Sequence, residues 1–153
     1  MIKEFEFYHG AVLAELIHYF KYKPLSIRLY PSASNASYVL NDTTGLYIKH
    51  SAKRLSPWRF VFQRSHQEEI LRMKEELKQV FVLLVCKDDG VVILNFTELK
   101  VLIGKRHEQT EWISVARTPN TEYTVKGSDG ELNYKIGKND FPKKLLGRDK
   151  SKR

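Results

Sequence analysis

GLYIKHSAKRLSPWRFVF, residues 45–62, is two strand-like pieces joined by a basic turn, and it contains no carboxylate. In an extended chain successive side chains point to opposite faces, so Leu46 and Ile48 share one face and Tyr47 and Lys49 the other. The second piece alternates Phe60 and Phe62 against Arg59 and Val61. Residues 43–67 hold five Lys/Arg and no Asp or Glu, whereas charges of both signs are mixed elsewhere. A lysine in mid-strand beside a basic, aromatic turn suits a surface that meets polyanions.

The segments on either side supply a sheet and its helices. Residues 7–20 place Val12, Leu13, Leu16, Ile17 and Phe20 at helical spacing, and Pro24 closes that segment. Residues 25–30 and 37–40 read as strands separated by a Ser/Asn/Pro loop. Turn residues at 41–45 lead into the third strand, 46–51, which residues 59–63 pair with or extend. Residues 65–78 form a helix in which Ser65 caps and Glu68 completes a capping box. Glu68 and Glu69 at its start and Lys78 at its end suit the helix dipole, and Ile70, Met73 and Leu77 make its apolar stripe. VFVLLVC, 80–86, is a continuous apolar run and so a strand buried on both faces. Residues 91–95 return as its hairpin partner. A short helix over 97–103, capped by Thr97 or Asn95, a strand over 112–117 and a hairpin of 122–126 with 132–136 complete the chain. The order predicts one α/β or α+β domain over 1–142, a central mixed sheet flanked by helices, with a C-terminal hairpin. Residues 143–153 are expected to be a basic tail.

The 153 residues suffice for one domain with its own core, and 42% apolar content excludes a disordered chain. No apolar run approaches the ~20 residues that span a bilayer, and Met1 to Phe7 lacks the apolar region of a secretory leader. The one cysteine, Cys86, excludes an internal disulfide framework and fits a reducing compartment, so a cytoplasmic location with no membrane partner is expected. Of the net charge of +8, residues 43–67 carry +5 and residues 143–153 carry +5, against −2 for residues 68–142 and zero for residues 1–42. Charge localised in this way points to nucleic acid as a partner. A solvated face and a solubilising tail are the plainer reading of the same residues.

No Gly-rich phosphate loop, zinc spacing or serine-nucleophile elbow is present. The helix-strand-strand-strand-helix-strand order over about residues 5–95, with Lys49 in the third strand, resembles the PD-(D/E)XK nuclease superfamily, the restriction-endonuclease-like fold. The resemblance implies an acid-x-Lys triplet at Tyr47-Ile48-Lys49, an upstream acid at Asp42, and an acid from the first helix at Glu15. In that superfamily carboxylates hold Mg²⁺ and the lysine polarises the phosphate or the attacking water. Here position 47 is Tyr, a poor ligand for a hard cation. Phe7-Tyr8-His9-Gly10-Ala11-Val12-Leu13 and the Ile48-Lys49-His50-Ser51 strand are also similar to small bacterial methylase-associated proteins. That similarity implies a restriction-modification or phage-defence setting.

The expectation is a DNA-associated accessory protein that binds without cleaving. Its candidate nucleic-acid contacts are Lys49, Lys53, Arg54, Trp58, Arg59, Arg64, Lys143, Lys144 and Arg148. Lys49, Asp42 and Glu15 are the candidate catalytic residues, with no resident metal or cofactor expected. Two alternatives stand beside it. One is a Mg²⁺-dependent nuclease with a rearranged site. The other is an interaction subunit for a DNA methyltransferase or another defence protein.

Overall fold

The computed structural model describes residues 1–105 and 109–146. Its elements are α1 (Glu4–Phe20), β1 (Ile27–Leu29), β2 (Ser37–Leu40), β3 (Thr44–Ser51), β4 (Trp58–Phe62), α2 (Arg64–Glu76), β5 (Gln79–Cys86), β6 (Gly90–Asn95), α3 (Phe96–Leu102), β7 (Glu111–Ala116), β8 (Thr124–Gly127) and α4 (Asp140–Lys143). A 3₁₀ turn, Lys144–Leu146, follows. No helix among the described residues is long and apolar enough to cross a membrane.

The strands make two sheets, one of five strands in the order β1-β2-β3-β5-β6 and one of three in the order β4-β7-β8. In the larger sheet β1, β2 and β3 form an antiparallel meander, β3 and β5 run parallel, and β6 returns antiparallel to β5. A parallel pair needs a long connection. Here that connection carries β4 and α2. The apolar run 80–86 is the reason β5 can sit inside the sheet, because both its faces are covered.

Leu46, Ile48, Phe81, Leu83 and Val85 face α1, packing with Val12, Leu16, Phe141 and Leu145. Tyr47, Val82, Leu84 and Cys86 face the other way, onto α2, α3 and the inner face of the smaller sheet, where Ile70, Met73, Leu99, Phe60, Phe62 and Ile113 lie. Burying one such aliphatic side chain is worth about 1.5–3 kcal/mol, so these two layers dominate stability. Two glycines sit where a helix crosses a strand closely. At Gly45 on β3 a Cβ would lie 2.7 Å from Met73 Cε, and at Gly127 on β8 it would collide with the Leu102 carbonyl of α3. A side chain is therefore excluded where α3 crosses β8, whereas at Gly45 the end of Met73 would have to shift.

Four expectations need correction. β4 neither pairs with nor extends β3; it pairs with β7 in the second sheet. The sequence shows that β4 buries alternate residues but carries no information on which strand completes its ladder. The cap of α2 is Gln63 with His66, in place of Ser65 with Glu68. α1 begins at Glu4, where Lys3 and Glu6 close its first turn. The basic tail does not begin at 143, because Leu145 is buried and Lys144 Nζ lies 2.8 Å from Glu98 Oε1.

Candidate nucleic-acid interface and the Lys49 site

Lys49 shares its face of β3 with the buried Tyr47, so it points to the α2 side of the larger sheet. It is half-buried, with Nζ 3.3 Å from His66 Nδ1 and 5.0 Å from the centroid of the Phe62 ring. Burial pulls its amine down to about 8. His66 Nδ1 also accepts the Gln63 backbone N–H at 3.1 Å, which leaves the ring proton on Nε2. Burial, and then the charge of Lys49, hold His66 below its ordinary value. Near neutral pH the pair is thus an ammonium beside a neutral imidazole. The phenol of Tyr47 is pushed up by burial and by Glu69, so it does not supply an anionic oxygen.

The two implied acids lie elsewhere. Asp42 occupies the β2–β3 turn with φ of 60°, at the end of β3 remote from Lys49; it is 75% exposed and pairs with Arg28 at 3.5 Å. Its role is to shape the turn. Glu15 is on α1, which covers the opposite face of the sheet, so the sheet itself separates it from Lys49. The carboxylate on the Lys49 side is one the sequence reading missed. Glu69 of α2 is buried, and its Oε2 accepts the hydroxyls of Ser32 at 3.0 Å, Ser34 at 2.9 Å and Ser37. Ser37 pairs across the sheet with Tyr47. Two signals in the sequence could have found it: an acid within the apolar stripe of an amphipathic helix, and a loop with serines at 32, 34 and 37. These residues do not fit Mg²⁺. The lysine-side donors are a neutral phenol, an imidazole whose Nδ1 is occupied, and a carboxylate saturated on one oxygen by hydroxyls. Among the described residues no group of three or more His, Cys, Asp or Glu is placed to hold a metal ion.

The basic residues divide between two places. Lys49 lies in the layer between β3, β4 and α2. Lys53 and Arg54 are exposed on the β3–β4 connection, where Lys53 Nζ donates to the Pro57 carbonyl at 3.0 Å. Arg59 points outward from β4, away from the layer that holds Phe60 and Phe62. Arg64 is exposed at the start of α2 and pairs with Glu68 at 2.8 Å. Trp58 is not available for stacking on a base: it is 2% exposed, and its indole N–H donates to the Lys53 carbonyl at 2.9 Å. Lys143 is exposed, Lys144 is engaged with Glu98, and Arg148 lies outside the described residues.

The aromatic residue on the open side is Trp112. The Arg59 guanidinium sits 4.6 Å from the centre of its ring. The outer face of the smaller sheet carries Arg59, Ser114 and Lys126 in one cross-strand row, with Val61 beside Trp112 in the next. The three strands turn no Asp or Glu to that face, and beyond them the exposed Glu131 stands opposite Lys126 at the end of the row. Sequence reading missed Trp112 because it alternates normally within its strand. Only the pairing of β7 with β4 shows that it stands next to Arg59.

Comparison with family models, curated proteins and solved structures finds no match to this chain.

Proposed function

We propose that the protein is a nucleic-acid-binding accessory factor that uses the outer face of its smaller sheet and the adjoining 52–57 connection, and that it does not cleave by a metal-assisted route at Lys49. The observation that carries the reading is the cross-strand row Arg59–Ser114–Lys126 beside an Arg59–Trp112 stack, on a sheet face whose three strands turn no acid outward. A sheet face of this kind offers a flat guanidinium–indole surface for bases and cations for phosphates. Lys53 and Arg54 extend the positive surface from the same edge. The helix, the three-stranded meander, the crossover with α2 and the parallel β5 support the reading of a restriction-endonuclease-like α-β-β-β-α-β scaffold with β4 added in the crossover. Together with the resemblance of the Ile48-Lys49-His50-Ser51 strand, this supports DNA as the nucleic acid and a restriction-modification or phage-defence setting.

Binding through phosphates releases counterions, so affinity for labelled single-stranded and duplex oligonucleotides falls steeply as salt rises. Arg59→Ala and Lys126→Ala each weaken binding and lower the slope of log K against log salt by about one. Fluorescence anisotropy over a salt series measures both. Absence of binding to either form at low salt, or slopes unmoved by both substitutions, would overturn the reading.

A further inference from the structure

Helix α1 carries two apolar faces. His9, Val12 and Leu16 are buried against the larger sheet. Across the helix, Phe7, Gly10, Ala14 and Ile17 all stand exposed, Phe7 at 61% and Ile17 at 51%. Their spacing alternates three and four residues, the spacing of a helix–helix seam. A Cβ placed on Gly10 would meet nothing within 4 Å. No described element covers this face.

We propose that this face of α1 docks antiparallel on the same face of a second copy of this chain, about a two-fold axis midway between Gly10 and Ala14. The seam reads Lys3, Phe7, Gly10, Ala14, Ile17, Lys21. By size this is long, large, small, small, large, long, the same in either direction, which is what a self-complementary two-fold contact requires. Antiparallel pairing sets Phe7 on the second copy's Ile17 and Gly10 on its Ala14, where small residues allow close backbone approach. It also sets the first turn, with Glu4 and Glu6, beside the last turn of the other helix, with His18, so that the two helix dipoles oppose. Lys3 and Lys21 are the cap residues just beyond the helix ends, and each turns its amine to water. A concavity lined by Ile2, Phe7, Tyr8, Ala11, Lys87 and Asp88 lies beside the first turn. A single helix pair is a small interface, so the dimer forms in the micromolar range. Because α1 covers the sheet face opposite Lys49, the smaller sheet of each copy stays open.

Sedimentation of the full chain over a concentration series tests this. The expected result is a monomer–dimer equilibrium that Gly10→Gln or Ala14→Gln weakens by about tenfold or more. Both positions are exposed, so circular dichroism stays at the parent signal and the fold is not weakened, Gly10→Gln raising the melting temperature because it removes a glycine from a helix interior. The geometry has its own readout, since Cys86 is buried and leaves a clean background. The double variant Gly10→Cys/Ala14→Cys becomes a covalent dimer on oxidation, and each single variant does so poorly. A parent that stays monomeric at every concentration overturns the proposal. So does a dimer that neither Gln substitution weakens, or one in which Gly10→Cys alone cross-links as well as the pair.

Discussion

Asp89→Asn lowers the stability of the folded chain by about 3 kcal/mol at neutral pH. Asp89 sits in the β5–β6 turn and meets the Arg117 guanidinium through two oxygens, at 2.6 Å and 2.9 Å. Its Oδ2 also accepts the Tyr123 hydroxyl at 2.7 Å, and the two charged side chains are only 16% and 18% exposed. Removing the carboxylate's charge leaves Arg117 desolvated without a counterion, which is the expensive way to break such a pair. The Arg117 hydrogen bond, aided by that of Tyr123, holds the Asp89 carboxyl down at about 2. A depressed folded-state value gives stability that is present above the unfolded value of 3.8 and is lost as pH falls toward 2. The difference between parent and variant is therefore full at pH 7 and shrinks through that window. Urea denaturation at pH 7 and pH 3 measures it. Equal midpoints at pH 7 would show that the pair contributes nothing. Arg117 follows β7 and Tyr123 precedes β8, so this network pins the larger sheet's turn to the smaller sheet. The variant should loosen the proposed binding face without altering any residue on it.

Periodicity made most of the elements legible. The alternation at 45–62 identifies two strands, and the apolar run at 80–86 identifies the buried one, because burial on one or two faces writes itself directly into side-chain type. Pairing does not. Nothing in residues 58–62 distinguishes a partner at β3 from a partner at β7, so the second sheet, and with it the Arg59–Trp112 stack, follows only from the register. The candidate acids part from Lys49 for a related reason. Asp42 and Glu15 are the acids that the resemblance implies, but the sheet separates α1 from α2, and the β2–β3 turn lies at the far end of the strand. Glu69 was legible in principle, since a buried carboxylate must find donors, and Ser32, Ser34 and Ser37 are those donors. Trp58 shows the converse: a tryptophan in a basic stretch looks available, yet alternation with Arg59 already sends it inward.

Lys49→Met stabilises the chain by about 2 kcal/mol at pH 7 while leaving nucleic-acid affinity unchanged. Met keeps the length of the side chain against Phe62 and removes an ammonium that is half-buried without a carboxylate partner. The lysine's folded-state value is about 8 against an ordinary 10.5, because burial disfavours the charged form. With the folded value below the unfolded one, the unfolded chain binds the proton more tightly, so the penalty is absent above pH 10.5 and fully developed below about 8. The whole shift corresponds to about 3 kcal/mol, and partial access to water reduces it to about 2. Parent and variant should therefore differ at pH 7 and converge as pH approaches 10.5. The groups facing the amine give an independent readout. Lys49's charge is the second cause, after burial, holding His66 down, so the His66 titration followed by NMR moves to higher pH in Lys49→Met. A structural lysine whose removal costs stability would contradict this account. A lysine whose removal stabilises the fold yet abolishes nucleic-acid binding would move the functional site from the outer sheet face back to β3. The two measurements together decide whether Lys49 is retained for contact with phosphate or is an internal charge that the fold tolerates.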